Sequence, residues 1–109
     1  MPAYMVSFVT AHSLEWVPEY LANVPAIVRR HGGEFVAVAK PVAGAIERLE
    51  GAAPIPQSIV LFKFPSMEAI KSFLASPEYG PYKDARIVAT ESNFFAFEND
   101  PDAPQFIGA

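Results

Sequence analysis

The chain has no cysteine. That excludes disulfides, thiolate zinc sites, iron–sulfur clusters and a cysteine nucleophile. Histidine occurs only at His12 and His31, in different elements. The His12/Glu15 spacing would suit a metal only if both residues were helical, so no metal site is expected. Positive charge is scarce: eight Lys and Arg stand against twelve Asp and Glu, a net charge of −4. With no basic stripe to neutralise phosphates, a nucleic-acid partner is not expected. No apolar run approaches the ~20 residues of a membrane helix. The apolar opening from Met1 to Val9 is short and carries no basic residue, so it reads as a strand rather than a targeting segment. A cytoplasmic protein with no membrane partner is the default expectation. A Gly-rich phosphate loop, GxSxG and a paired-carboxylate motif are all missing, and no cofactor is expected.

What is present suits one domain with a substantial core. Of the 109 residues, 51% are hydrophobic and 18% charged, which is not the composition of a disordered segment. Ala3 to Val9 reads as a strand, with Tyr4, Val6 and Phe8 on one face and Met5, Ser7 and Val9 on the other. A helix is expected from Leu14 to His31, capped by Ser13 and stopped by Gly32-Gly33. Its stripe of Val17, Tyr20, Leu21, Val24, Ile27 and Val28 keeps its phase across Pro25, which favours one kinked helix over two. Glu34 to Ala39 and Ala45 to Glu50 are strand-like. The intervening Lys40 to Gly44, with Pro41, would form a hairpin or a bulge at a sheet edge. Ser58 to Phe64 is a nearly continuous apolar run and reads as a central strand. Ser66 caps a second helix with Met67, Ile70, Phe73 and Leu74 inward. Ser76-Pro77 starts a short helical piece limited by Gly80-Pro81, and Ser92 to Glu98 is the last strand. Residues 1–98 then form a single ferredoxin-like domain and 99–109 a C-terminal tail, whose Phe106 and Ile107 could dock on a partner.

The order βαββαβ implies an α+β sandwich in which helices cover one face of an antiparallel sheet. The other face should then alternate with polar residues, yet these strands are apolar on both sides. Phe94 and Phe95 are adjacent and point opposite ways; Val60, Phe62 and Phe64 oppose Ile59 and Leu61. Each such side chain left wet forfeits about 1.5–3 kcal/mol. The economical cover is a second copy of the sheet related by a two-fold axis, making the chain its own partner.

Several stretches resemble a known family. They are Gly32-Gly33-Glu34-Phe35, Leu49-Glu50-Gly51, Phe64-Pro65-Ser66, Ser76-Pro77-Glu78-Tyr79 and Arg86, along with the Tyr-bearing first strand and the proline inside the first helix. Together they look like the bacterial domain of unknown function numbered 1330, over roughly residues 2–98. That family lies in the dimeric α+β barrel superfamily, whose members pair two ferredoxin-like sheets. The resemblance implies the fold and a homodimer but no particular activity, since the superfamily includes cofactor-free monooxygenases, isomerases and sensing modules. The stretch Glu34 to Arg48 departs from the pattern in its length and in Pro41. The ending after Phe97 departs as well.

Candidate site residues follow. Arg86 could clamp a carboxylate or enolate through two parallel hydrogen bonds, or could pair with Glu50 or Glu78 within the chain. Glu50 could be a general base if burial raised its pKa. Tyr20 and His31 share the inner stripe of the first helix and could face a cavity between helix and sheet. Otherwise Tyr20 is core and His31 holds the last helix carbonyls. Tyr79 could also touch a ligand. Three readings stay open: a homodimer binding an apolar or aromatic small molecule, with cofactor-independent acid–base chemistry near Arg86 and Glu50; a non-catalytic interaction or sensing module; and a cofactor-free oxygenase or isomerase built on Trp16, His31 and Asn93.

Overall fold

The computed structural model describes residues 1–103 and Gly108. Phe106 and Ile107 lie outside the described residues. The elements run β1 (Ala3–Ala11), α1 (Val17–Arg30), β2 (Glu34–Val38), β3 (Ser58–Phe64), α2 (Met67–Ala75), α3 (Gly80–Ala89) and β4 (Thr90–Glu98). The four strands form one antiparallel sheet in the order β2-β3-β1-β4. No helix among the described residues is long and apolar enough to cross a membrane.

Prolines decide where two helices start. A helix begun at Leu14 would need the Pro18 nitrogen to donate to the Leu14 carbonyl, and proline has no N–H. The helix therefore begins at Val17 with Pro18 in its first turn, where no donor is needed. Ser13 is not its cap. Its Oγ accepts from the Glu15 N–H (3.3 Å), and its carbonyl accepts from the Trp16 indole (2.7 Å). The same rule overturns the short helical piece expected before Gly80. Pro81 opens α3 instead of limiting a helix, and α3 runs on to Ala89. Pro25 sits inside an unbroken α1, as the continuous apolar stripe implies. Ser66 caps α2 through the Ala69 N–H (3.1 Å).

At the end of α1 the chain turns at Gly32, φ +80°, and the Gly33 N–H returns to the Val28 carbonyl (2.9 Å). A Cβ on Gly33 would stand 2.6 Å from the Phe64 ring and 2.7 Å from Val28, so β2 can leave the helix this closely only through glycine. Met5, Phe62, Phe64, Ile70 and Phe73 centre the core between sheet and helices.

The strand expected over Ala45 to Glu50 does not form. Residues 39–57 cross from β2 to β3 without regular structure, and β2 pairs with β3 directly. Ile46 and Leu49 lack the alternation of a half-buried strand. Pro41, Pro54 and Pro56 cannot donate to a ladder, and Leu49 is left 85% exposed. One irregularity interrupts β2: Phe35 pairs with Phe62 and Ala37 with Leu61, which leaves Val36 bulged.

Alternation along the strands separates two faces. Ala3, Met5 and Ser7 face the helices and are buried, as are Phe62 and Phe64. Tyr4, Val6, Phe8, Ile59, Leu61, Phe95 and Phe97 lie on the other side, which no helix among the described residues covers. There Tyr4 stacks on Phe97 at 5.8 Å between ring centres, and Phe8 meets Phe95 edge-on at 6.2 Å. Phe95 is 60% and Phe97 55% exposed in the single chain.

Candidate functional site: a cavity between the first helix and the sheet

A cavity of about 720 Å³ opens between α1, the helix-facing side of the sheet and the start of the 39–57 crossing. Trp16, Tyr20, Phe35, Phe62, Phe73 and Phe94 supply most of its aromatic surface. Its volume suits a small molecule. Residues 39–57 close one side through Ala39, Pro41 and Gln57. That side is pinned where the Gln57 N–H meets the Val9 carbonyl (2.9 Å) and its Oε1 accepts from the Ala11 N–H (2.8 Å).

Arg86 reaches this cavity from the last turn of α3. It is only 5% exposed. Its guanidinium carbon lies 4.3 Å from the centre of the Phe94 ring, within cation–π range. Nη1 donates to Ser92 Oγ, and Nε is buried without a partner. No carboxylate faces it: the one ion pair among the described residues joins Arg30 to Glu78 at 2.9 Å. The intrachain partners considered for Arg86 are therefore not used. Glu78 is taken by Arg30, and Glu50 stands exposed on the 39–57 crossing. Buried charges are ordinarily paired, so Arg86 stands out.

Beside the guanidinium, the Tyr20 and Tyr79 hydroxyls are 2.7 Å apart. Tyr79 is fully buried, and its ring stacks on Phe73 at 4.3 Å between ring centres. The Tyr20 ring meets Trp16 edge-on at 5.0 Å. Burial first, then the Tyr79 hydroxyl, push the Tyr20 pKa well above that of an ordinary phenol; nearby Arg86 pulls the other way without cancelling them.

Of the residues singled out in the sequence, Arg86 and Tyr20 line the cavity, and Tyr79 backs Tyr20 from the core. Glu50 is outside the lining. His31 is outside it too. It forms the C-cap of α1, with Nδ1 3.0 Å from the Ile27 carbonyl and its ring against Phe73. Trp16, His31 and Asn93 do not converge. Trp16 borders the cavity, whereas Asn93 pairs with Phe8 on the uncovered face. Sequence reading missed Thr90, Ser92 and Phe94, the β4 residues that meet Arg86. Their spacing of two, just after an arginine in a last helical turn, is the available signal. It becomes readable only once α3 is known to continue to Ala89.

The topology and its cavity define a ferredoxin-like α+β protein. The family described as Domain of unknown function (DUF1330) matches residues 2–100, and the chain belongs to it. No curated protein is significantly similar to it in sequence. Among solved structures it is similar to a protein of unknown function from Rhodopseudomonas palustris, with a TM-score of 0.69, 17% identity, and 92% of this chain and 84% of that one covered. It is similar also to a dimeric ferredoxin-like protein of unknown function from Jannaschia sp. CCS1 (TM-score 0.67, 10% identity, 91% and 100% covered). A third similar structure is SnoaB, a cofactor-independent oxygenase from Streptomyces nogalater (TM-score 0.61, 18% identity, 94% and 97% covered). At these identities the likeness is one of fold.

Proposed function

We propose that the protein is a homodimeric small-molecule-binding protein. Each copy holds an apolar or aromatic ligand in its helix–sheet cavity, and the two sheets pack on each other through their uncovered faces. The cavity is the observation that carries the binding reading: its wall is mostly aromatic and aliphatic, with a few polar groups that include the buried Arg86 and Tyr20. The second copy answers the bare aromatic face around Phe95 and Phe97, and a similar structure is described as dimeric. Binding without catalysis, as in a sensing module, is favoured over acid–base chemistry. The residues lining the cavity include no Asp, Glu, His or Lys, so none is a general base at neutral pH. Glu50, the sequence candidate for that role, is outside.

Native mass spectrometry of freshly purified protein tests the reading. Twice the chain mass with a bound small molecule is the expected result. A bare monomer at micromolar concentration overturns it.

A further inference from the structure

The polar end of the cavity has donors and lacks an anionic acceptor for them. Thr90 Oγ1 gives its single proton to the Arg86 carbonyl (2.7 Å). Its 3.1 Å contact with Ser92 Oγ must then run from Ser92 to Thr90. Ser92 in turn accepts from Arg86 Nη1. This relay carries hydrogen bonds from the guanidinium into the wall, and none of its oxygens is charged. The tyrosine pair has a direction too. If Tyr20 donated to Tyr79, the proton of the fully buried Tyr79 would have no acceptor. Tyr79 therefore donates, and the Tyr20 proton remains to be given elsewhere. Its other polar neighbour, Arg86, has no acceptor to offer.

Charge points the same way. The chain is net acidic, yet the charged residues lining the cavity are Arg86 and Arg29, with no Asp or Glu. Tyr20 is held in its neutral form and is no counter-ion. One buried guanidinium with an unpartnered Nε calls for one negative charge. Its planar fork matches a carboxylate, and a single buried cation suits a monoanion better than a phosphate dianion.

We infer that the ligand is an aromatic monocarboxylate, with its ring among Trp16, Phe35, Phe62 and Phe94 and its carboxylate accepting from the Arg86 guanidinium and the Tyr20 hydroxyl. This rests on the binding reading above and narrows it to a chemical class.

The test is calorimetric titration of the wild-type protein with 2-naphthoate and with its neutral counterpart, 2-naphthamide. The carboxylate should bind about tenfold tighter or more, as expected for hydrogen bonds to a charged group. Arg86→Gln should abolish that preference while keeping the amide affinity within a few-fold, and Tyr20→Phe should weaken the carboxylate alone. Equal or tighter binding of the amide to wild type overturns the anion assignment and leaves the cavity reading standing. Binding of neither compound at millimolar concentration overturns both. Should Arg86→Gln fail to fold, the wild-type preference measured at about 0.05 M and about 0.5 M salt decides: a buried pair keeps it, whereas loss at high salt marks surface association and overturns the assignment.

Discussion

The hydroxyls of Tyr20 and Tyr79 meet at 2.7 Å across a sequence separation of 59 residues, tying α1 to the turn that leads into α3. Their surroundings differ: Tyr20 borders the cavity, and Tyr79 is fully buried. Removing either hydroxyl should therefore have unequal effects. Tyr79→Phe leaves Tyr20 with access to water or ligand and should cost about 1 kcal/mol. Tyr20→Phe strands a buried hydroxyl and should cost about 1–3 kcal/mol. The double variant should cost less than the sum, because it leaves no orphan. Urea denaturation of the four proteins measures the cycle, and additive costs would argue against the bond.

The raised Tyr20 pKa predicts a pH dependence with a definite sign. Burial favours the neutral phenol in the native state, so above about pH 10, where an ordinary tyrosine ionises, the unfolded chain binds fewer protons than the native one. The stability contributed by this group is intact below that pH and declines as pH rises further. Urea midpoints from about pH 9 to 11 should fall in wild type and fall less steeply in Tyr20→Phe. Parallel curves would remove Tyr20 as the cause.

Phe95 and Phe62 lie on opposite faces of the sheet, so aspartate should act differently at each. Phe95→Asp should keep secondary structure and give monomer or aggregate in light scattering. Phe62 is 7% exposed and packs in the core, contrary to the interface position its strand alone would allow. Phe62→Asp should unfold the chain, because an unpaired buried carboxylate is too costly. Leu49→Asp, on the exposed 39–57 crossing, serves as a control and should leave assembly unchanged. A Phe95→Asp variant that stays dimeric would remove that residue from the interface.

Gly33→Ala should destabilise by about 1–3 kcal/mol through overpacking, since its Cβ would collide with Phe64 and Val28. Thermal melting checks this. An unchanged Tm would mean that β2 can move away from α1.

The sheet was legible because period-two patterning survives burial: Tyr4, Val6 and Phe8 against Met5, Ser7 and Val9 announce β1 and its two faces. The phase kept across Pro25 likewise announces a continuous α1. The failures share a cause. Pro18 and Pro81 act by the donor they lack, and whether a proline stops a helix or starts one depends on which carbonyl would have needed that donor. Misreading Pro81 hid α3, and with it the burial of Arg86 and its meeting with Ser92 and Phe94. Arg86 could be picked out by residue type and resemblance, but the shortage of acceptors around it is a property of three-dimensional packing. Glu50 looked promising at a strand end; without that strand it stands exposed on the 39–57 crossing, outside the cavity.

The wall contributed by residues 39–57 has one more consequence. Its ends are held, Ala39 by the Ile59 carbonyl and Gln57 by Val9 and Ala11, but no ladder runs between them, so residues 40–56 can change in length and side chains without altering how β2 and β3 align. The guanidinium and Tyr20 sit on helices fixed to the core and Tyr79 in the turn before α3, while the entrance is framed by residues that join no strand of the sheet. Descendants of this chain can thus retune which molecules enter by rewriting one surface segment, and leave both the anchor and the folding of the domain untouched.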